Sequence, residues 1–203
     1  MKKKKTAIYA ESATNLLVQV GDLQVFVQFA KSKSLVSFID NTFLSPVNFR
    51  PITLGFDLSL HSGTKYLNGH SDIAAGAIIG CSDFVEQIDQ WLAHLGGVSD
   101  PHACFLLHRE MKTLALRVQH QNQSALKIAQ FSGDHPSVSK VNCPRIETSV
   151  YYRRACCWFN GFGGMLSFEF KEGLRGVKRF IKALTLPVEA PPQKFGKCEN
   201  IDY

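Results

Sequence analysis

Apolar positions in the first half of the chain alternate between two rhythms. Thr6–Ala10 reads as a short apolar strand ending at Glu11-Ser12, and Asp22 can cap a helix in which Leu23, Phe26, Val27 and Ala30 recur at the helical period. Leu35–Ile39 is a buried-type strand closed by Asp40-Asn41; Arg50–Leu54 links it to a second strand, Phe56–Leu60. Ser62–Asp72, with Gly63, Gly69 and several hydroxyls, predicts a loop, and the small apolar run Ile73–Gly80 a strand in a crowded sheet. Ser82 starts a helix with Phe84, Val85, Ile88, Leu92 and Leu95 on one face, ended by Gly96-Gly97. Strands alternating with helices predict an α/β fold with a mainly parallel sheet covered on both faces.

From about Arg109 the pattern changes. Met111, Leu114, Val118, Ala125, Ile128 and Ala129 predict one long amphipathic helix to about Phe131. A strand (Val138–Asn142), a variable loop, a strand (Gly164–Phe170) and a helix (Leu174–Leu184) follow, which reads as part of a smaller α+β domain. The tail from Pro187 is polar and rich in proline and lysine, a ragged end.

Composition narrows the class. The chain has 203 residues, 45% hydrophobic and 20% charged, which is globular and not disordered. With no membrane-length apolar run and no apolar signal region, the expectation is a soluble intracellular protein outside the membrane. The net charge of +6 owes much to Lys2–Lys5. A short basic block without aromatic partners predicts a solvated, frayed terminus and not a nucleic-acid arm. Cys81, Cys104, Cys143, Cys156, Cys157 and Cys198 form no C-x-x-C pair, which predicts no zinc site and no disulfide framework.

Two points carry chemistry. Asp40 lies just past one strand end, and His61-Ser62-Gly63-Thr64-Lys65 lies just past the next. Open α/β sheets bind ligands at the carboxyl ends of their strands, so both groups point toward one crevice. Pyridoxal phosphate (PLP) needs a lysine for its Schiff base, and commonly an acid to keep its pyridine nitrogen protonated. Its phosphate needs short hydrogen-bond donors, which Ser62 and Thr64 can supply. A phosphate-binding P-loop is excluded, because that motif places glycine four residues before Gly-Lys-Ser/Thr. On the residues alone, a surface lysine and a strand-end turn aspartate stay open as alternatives.

The stretch HSGTKYLNGHSDIAAGAIIG resembles the cofactor-lysine signature of the Cys/Met-metabolism (transsulfuration) family of PLP enzymes. FIDNTFLSPVNFRPITLGFDL resembles that family's Asp-Asn-Thr-Phe strand end, and the spacing of 25 residues from Asp40 to Lys65 fits it. MKTLALRVQHQNQSALKIA and GFGGMLSFEF are similar too; the long helix and the tail most resemble the plant cystathionine γ-synthase branch. The resemblance covers about residues 6–200.

It implies a PLP-dependent transferase-like fold (fold type I), with 1–108 the C-terminal half of the PLP-binding large domain and 109–203 a linking helix plus an incomplete small domain. It implies Lys65 as Schiff-base lysine and proton shuttle, Asp40 paired with the pyridine nitrogen, Ser62 and Thr64 on the phosphate, and Asn15 on the cofactor oxygen or the substrate carboxylate. The implied reaction is γ-replacement on an activated homoserine by cysteine. A γ-lyase, or a non-catalytic remnant that binds PLP weakly or pairs with a full-length relative, is the alternative. The implied partners are a small amino-acid substrate (homoserine ester, cysteine or cystathionine) and a homo-oligomer of the family type, in the cytoplasm or, by analogy with plant relatives, the plastid. The family's glycine-containing phosphate loop and its ring-stacking aromatic are expected from a front half, and its carboxylate-binding arginine from beyond this C-terminus. The chain departs from the family pattern where Leu16 stands for proline, Gln19 for a frequent arginine, and Glu110 and Arg145 for glycines, and where Pro192-Gln193-Lys194 disrupts the Ser-Phe/Leu-Gly-Gly loop that lines the family's active site.

Overall fold

The computed structural model describes residues 6–185. The sequence expectations for Lys2–Lys5, Cys198 and the tail from Pro187 lie outside the described residues. Four strands, β1 (Ala7–Glu11), β2 (Val36–Asp40), β3 (Leu58–Ser62) and β4 (Gly76–Gly80), form a sheet in that order. The first three run parallel, and β4 is antiparallel to β3, with Ser62 opposite Gly76. The reversal has a simple cause: a parallel neighbour needs a crossover, and the chain turns back from β3 through a compact loop instead.

Helix α1 (Leu23–Ser32) provides the β1–β2 crossover. Asp22 caps it as expected, accepting the Val25 N–H at 3.1 Å, and Leu23, Val27 and Ala30 are buried. Phe26 stacks on Phe56 with ring centroids 5.5 Å apart. Two short helices, α2 (Ser45–Asn48) and α3 (Pro51–Leu54), carry the chain from β2 toward β3.

The main core joins Val20, Leu23, Val27, Ile39, Leu44, Phe49 and Phe56 to Ala155, Phe159 and Phe162. These last three come from α7 (Tyr152–Trp158) and the segment after it. A helix therefore replaces the expected variable loop. Ala155, Phe159 and Phe162 keep helical spacing, but Arg153 and Arg154 just before them and Cys156 and Cys157 among them blur the stripe.

Helix α4 (Ser82–Leu95) forms where predicted, yet none of its residues is buried; Trp91 is 67% exposed and Leu95 77%. On its apolar face Phe84, Ile88 and Leu92 are half-buried, while Val85 and Leu95 are exposed. The single long helix expected from Arg109 is two helices. Helix α5 (Pro101–Met111) starts at an Asp100 cap with proline in its first turn, and α6 (Leu114–Asp134) follows a break at Lys112-Thr113. Asp100-Pro101 is an ordinary helix start that periodicity alone overlooks. Beyond α6, β5 (Val138–Asn142) and β6 (Ser167–Phe170) pair antiparallel and carry α8 (Leu174–Ala183). No described helix is long and apolar enough to cross a membrane.

Sheet register sorts the side chains. Asp40 is opposite Leu60 and Glu11, and Leu60 is opposite Ile78, so Tyr9, Phe38, Asp40, Leu60, Ser62 and Ile78 share one face. Ser37, Ile39, Ser59 and His61 share the other, with Ile39 in the main core.

Candidate functional site

Parallel β2 and β3 end at the same edge of the sheet, with Asp40 opposite Leu60 and Ser62 two residues further along on the same face. A relay of hydrogen bonds fixes this neighbourhood. Asp40 Oδ1 accepts the Thr42 N–H at 2.8 Å, and Thr42 Oγ1 accepts the Ser62 N–H at 2.8 Å. Asn41 is fully buried and knots the turn, its Nδ2 donating to the Phe49 carbonyl at 2.8 Å. The second carboxylate oxygen, Asp40 Oδ2, receives only a long contact from the Tyr9 hydroxyl, at 3.4 Å. Burial, then the charges of Asp40 and Glu11, push the Tyr9 phenol up to about 12, so it stays a neutral donor.

His61 points to the other face. It is buried, 3.1 Å from Ser59 Oγ, and burial lowers its imidazole pKa against an opposing pull from Asp40. It is a packing residue.

After β3 the chain forms a π-type turn, Gly63–Leu67. A side chain at Gly63 would press on the Ala75 backbone. Thr64 is tied to the same residue: its N–H donates to the Ala75 carbonyl at 3.3 Å, and its Oγ1 accepts the Ala75 N–H at 3.0 Å. Lys65 sits at the kink of the turn, with φ −89° and ψ −117°, and its carbonyl accepts the Gly69 N–H at 2.7 Å. Its side chain is exposed and forms no ion pair or hydrogen bond among the described residues. Lys65 and Thr64 line an open cavity of about 370 Å³ with Phe43, Tyr66, Gln121 and Met165. Gln121 Oε1 is buried there without a hydrogen-bond partner among the described residues.

The structure thus joins Asp40 to Ser62, and Thr64 to Lys65. Asn15 stands apart, exposed in the turn after β1, where its Oδ1 accepts the Leu16 N–H at 2.8 Å. It lies beyond the same strand-end edge, but no hydrogen bond ties it to the other four among the described residues.

Several residues that matter were not singled out from sequence. Thr42 joins the two strand ends. Tyr66, half-buried with its pKa raised by burial, accepts the Gly164 N–H at its hydroxyl at 3.0 Å. Arg117 donates to the Tyr66 and Leu67 carbonyls at 2.9 and 3.2 Å. No local pattern marks such contacts, because each depends on residues 20 to 98 positions apart.

Three of the departures from the family pattern find physical uses. Leu16 has φ +68°, which a proline ring cannot adopt, and its carbonyl accepts the Ser167 hydroxyl at 2.5 Å. Glu110 is nearly buried, bridging Arg109 at 2.7 Å and His70 at 3.2 Å. Arg145 lies over the Phe162 ring at 4.9 Å. No cluster among the described residues suits a metal ion.

Comparison with known proteins places this geometry. The sequence profile described as Cys/Met metabolism PLP-dependent enzyme matches residues 1–201. The chain is 39% identical over 199 residues to cystathionine gamma-synthase 1, chloroplastic, of Nicotiana tabacum, covering 98% of this chain and 36% of that protein. It is 35% identical to cystathionine beta-lyase of Coxiella burnetii, covering 90% of this chain and 48% of that one. The crystal structure of cystathionine gamma synthase from Xanthomonas oryzae pv. oryzae in complex with aminoacrylate and cysteine aligns at TM-score 0.88 and 34% identity, over 91% of this chain and 48% of that chain. Cystathionine gamma-lyase from Lactobacillus plantarum, complexed with L-serine, aligns at TM-score 0.79 and 38% identity, over 82% and 44%. The chain spans between about a third and about half the length of these relatives. With the profile matched almost end to end and the fold shared, the chain belongs to the Cys/Met metabolism PLP-dependent enzyme family.

Proposed function

We propose that this chain carries the cofactor-anchoring half of an active site for PLP-dependent chemistry on sulfur amino acids, of the cystathionine γ-synthase type. The observation that carries the reading is the hydrogen-bond relay Asp40–Thr42–Ser62, which locks an acid at one strand end to the lysine-bearing segment at the next.

The residues fit the cofactor. Asp40 Oδ2 faces only a 3.4 Å phenol contact, which leaves it able to accept a proton-bearing ring nitrogen. Lys65 Nζ is exposed and unpaired among the described residues, and the cavity it lines contains an unpartnered carboxamide oxygen on Gln121. When bound, PLP would supply an electron sink for carbanion chemistry. Lys65 would hold it through Nζ and, once released by the substrate amine, would take and return substrate protons at that nitrogen. Asp40 would keep the pyridine nitrogen charged. Ser62 would donate to the phosphate through its hydroxyl, while its backbone stays anchored to Thr42. Thr64 Oγ1 accepts the Ala75 N–H at 3.0 Å and donates only at 3.5 Å to the Ala75 carbonyl, a long contact that its hydroxyl would exchange for the same phosphate. Asn15 would reach the cofactor oxygen or the substrate carboxylate from the β1 edge.

The proposed substrates are a homoserine ester with cysteine, or cystathionine; solved relatives hold cysteine, aminoacrylate and cystathionine. The 38% identity to a cystathionine γ-lyase supports elimination as the second reading. We further propose the domain division at residues 108/109, a family-type homo-oligomer, and a reducing cytoplasm or, as in the chloroplastic relatives, a plastid.

The test is turnover of PLP-loaded protein with an activated homoserine plus cysteine, and separately with cystathionine. Thioether formation or keto-acid release that falls at least about 100-fold in Lys65→Ala supports the proposal. PLP-loaded protein that turns over neither substrate contradicts it as a catalyst.

A further inference from the structure

The turn that carries Lys65 is held chiefly from α6 and the α5–α6 junction, and one side chain does most of this. Arg117 Nη1 donates to the Tyr66 carbonyl at 2.9 Å, and Nη2 donates to the Leu67 carbonyl at 3.2 Å and the Glu110 carbonyl at 2.9 Å. Its Nε donates to Thr113 Oγ1 at 3.2 Å. The guanidinium therefore spans the π-type turn on one side and the α5–α6 break on the other. Glu110, at that same break, ties down the far end of the turn through His70 at 3.2 Å.

Two features show that the turn is shaped around this fork. Gly69 has φ +87°, and a side chain built on it would overlap the Arg117 guanidinium, so the close approach requires glycine twice over. Two of the three carbonyls that Arg117 binds belong to the residues directly after Lys65, while the Lys65 carbonyl is already bonded to Gly69. The backbone on the C-terminal side of the lysine has thus little freedom left while Arg117 is in place. On the N-terminal side, Gly63 and Thr64 lie against Ala75.

We propose that Arg117 is a positioning residue for the Lys65 amine. It forms no hydrogen bond with Nζ and is not itself among the residues lining the cavity; it acts by fixing the peptide groups of Tyr66 and Leu67, so that Lys65 projects into the cavity it lines. Lysine cannot replace it, because one ammonium cannot bond three carbonyls in the planar arrangement that the fork satisfies. The proposal rests on the reading of Lys65 as the cofactor lysine, but the restraint on the turn can be measured without cofactor.

The experiment compares wild type, Arg117→Lys, Phe56→Leu and Lys65→Ala. Phe56→Leu is a control that weakens the main core far from the turn. Amide hydrogen exchange is read on peptides covering 64–70, without PLP. In parallel, each protein is incubated with PLP and borohydride. Lys65 Nζ condenses with the PLP aldehyde carbon, releasing water, and hydride from borohydride reduces the C=N bond to a secondary amine that mass spectrometry locates. Arg117→Lys is expected to exchange at least tenfold faster in 64–70 and to lose roughly tenfold in labelling at Lys65, on the order expected for a misplaced reactive group. Phe56→Leu is expected to keep both near wild type despite its lower Tm. Wild-type exchange in Arg117→Lys, or equal losses in Phe56→Leu, overturns the proposal. Wild-type protein unlabelled at Lys65 sinks the cofactor reading instead, and the exchange comparison still decides the role of Arg117.

Discussion

The side-chain amides of Asn48 and Asn122 face each other reciprocally, Asn48 Nδ2 donating to Asn122 Oδ1 at 3.0 Å and Asn122 Nδ2 to Asn48 Oδ1 at 2.8 Å. Asn48 ends α2, just beyond the Asp40 turn, and Asn122 lies in the middle of α6. The Gly163 N–H also donates to Asn122 Oδ1, at 2.9 Å, and the Asn160 N–H donates to the Asn48 carbonyl at 2.8 Å. A side chain at Gly161 would overlap both amides. This pair therefore draws the first sheet, the long helix and the 160–164 segment to one point beside the cavity. Asn122→Ala leaves a buried amide and a backbone N–H unpaired, and should cost about 1–3 kcal/mol. Urea denaturation measures it; an unchanged midpoint would contradict the role given to the pair.

His61 makes stability depend on pH. Burial lowers its pKa in the folded protein below the ordinary 6.5. The unfolded chain then binds the proton more readily, so the stabilisation is complete above about pH 6.5 and is lost as pH falls through the folded pKa. The urea midpoint should drop between pH 7.5 and 5.5 more in wild type than in His61→Gln. Parallel profiles for the two proteins would show that another group titrates.

Gly69→Ala combines a left-handed backbone with a clash against Arg117. The backbone alone costs about 1–2 kcal/mol. Thermal unfolding should fall accordingly, and part of the loss should be relieved in a Gly69→Ala, Arg117→Ala double variant, because the overlap is removed. Strict additivity would mean that the two residues do not meet.

The sheet ends in β1 and β4, whose outer edges have no partner among the described residues, and Tyr9, Ile78 and Ile79 are exposed on them. Open edges with apolar side chains favour edge-to-edge association. Light scattering of this chain should rise with concentration, and Ile79→Lys should reduce the effect. Scattering indifferent to both would contradict it.

Much of the fold was legible in the sequence because local chemistry and tertiary structure agree there. Asp22 caps where a capping aspartate should, and Leu23, Val27 and Ala30 face inward as their period demands. The fold class followed from the alternation of strands and helices, and the expected strand ends at Ile39 and Leu60 fall one and two residues short of the observed Asp40 and Ser62. The misses share a cause. Helix α7 hides because Ala155, Phe159 and Phe162 pack on a core built about a hundred residues earlier, while Arg153 and Arg154 before them and the cysteines and Trp158 among them break the local apolar pattern. The α5–α6 break hides because apolar spacing runs through Lys112-Thr113, and only the Arg117 contacts to the Lys65 turn give the break a purpose. The candidate acid and lysine could be named from sequence, but not the Thr42 relay or the Arg117 fork that hold them, since both depend on side chains meeting across the fold.

The central claim is that Lys65 is the residue that holds the cofactor. It is tested most directly by mixing purified protein with PLP, following the visible absorbance band of the lysine adduct, fixing it with borohydride, and locating the modified peptide in wild type, Lys65→Ala and Asp40→Ala. The account predicts a band in wild type that maps to Lys65, is absent in Lys65→Ala and is weakened in Asp40→Ala. A folded wild-type sample with no band, or a band that survives in Lys65→Ala, would contradict it.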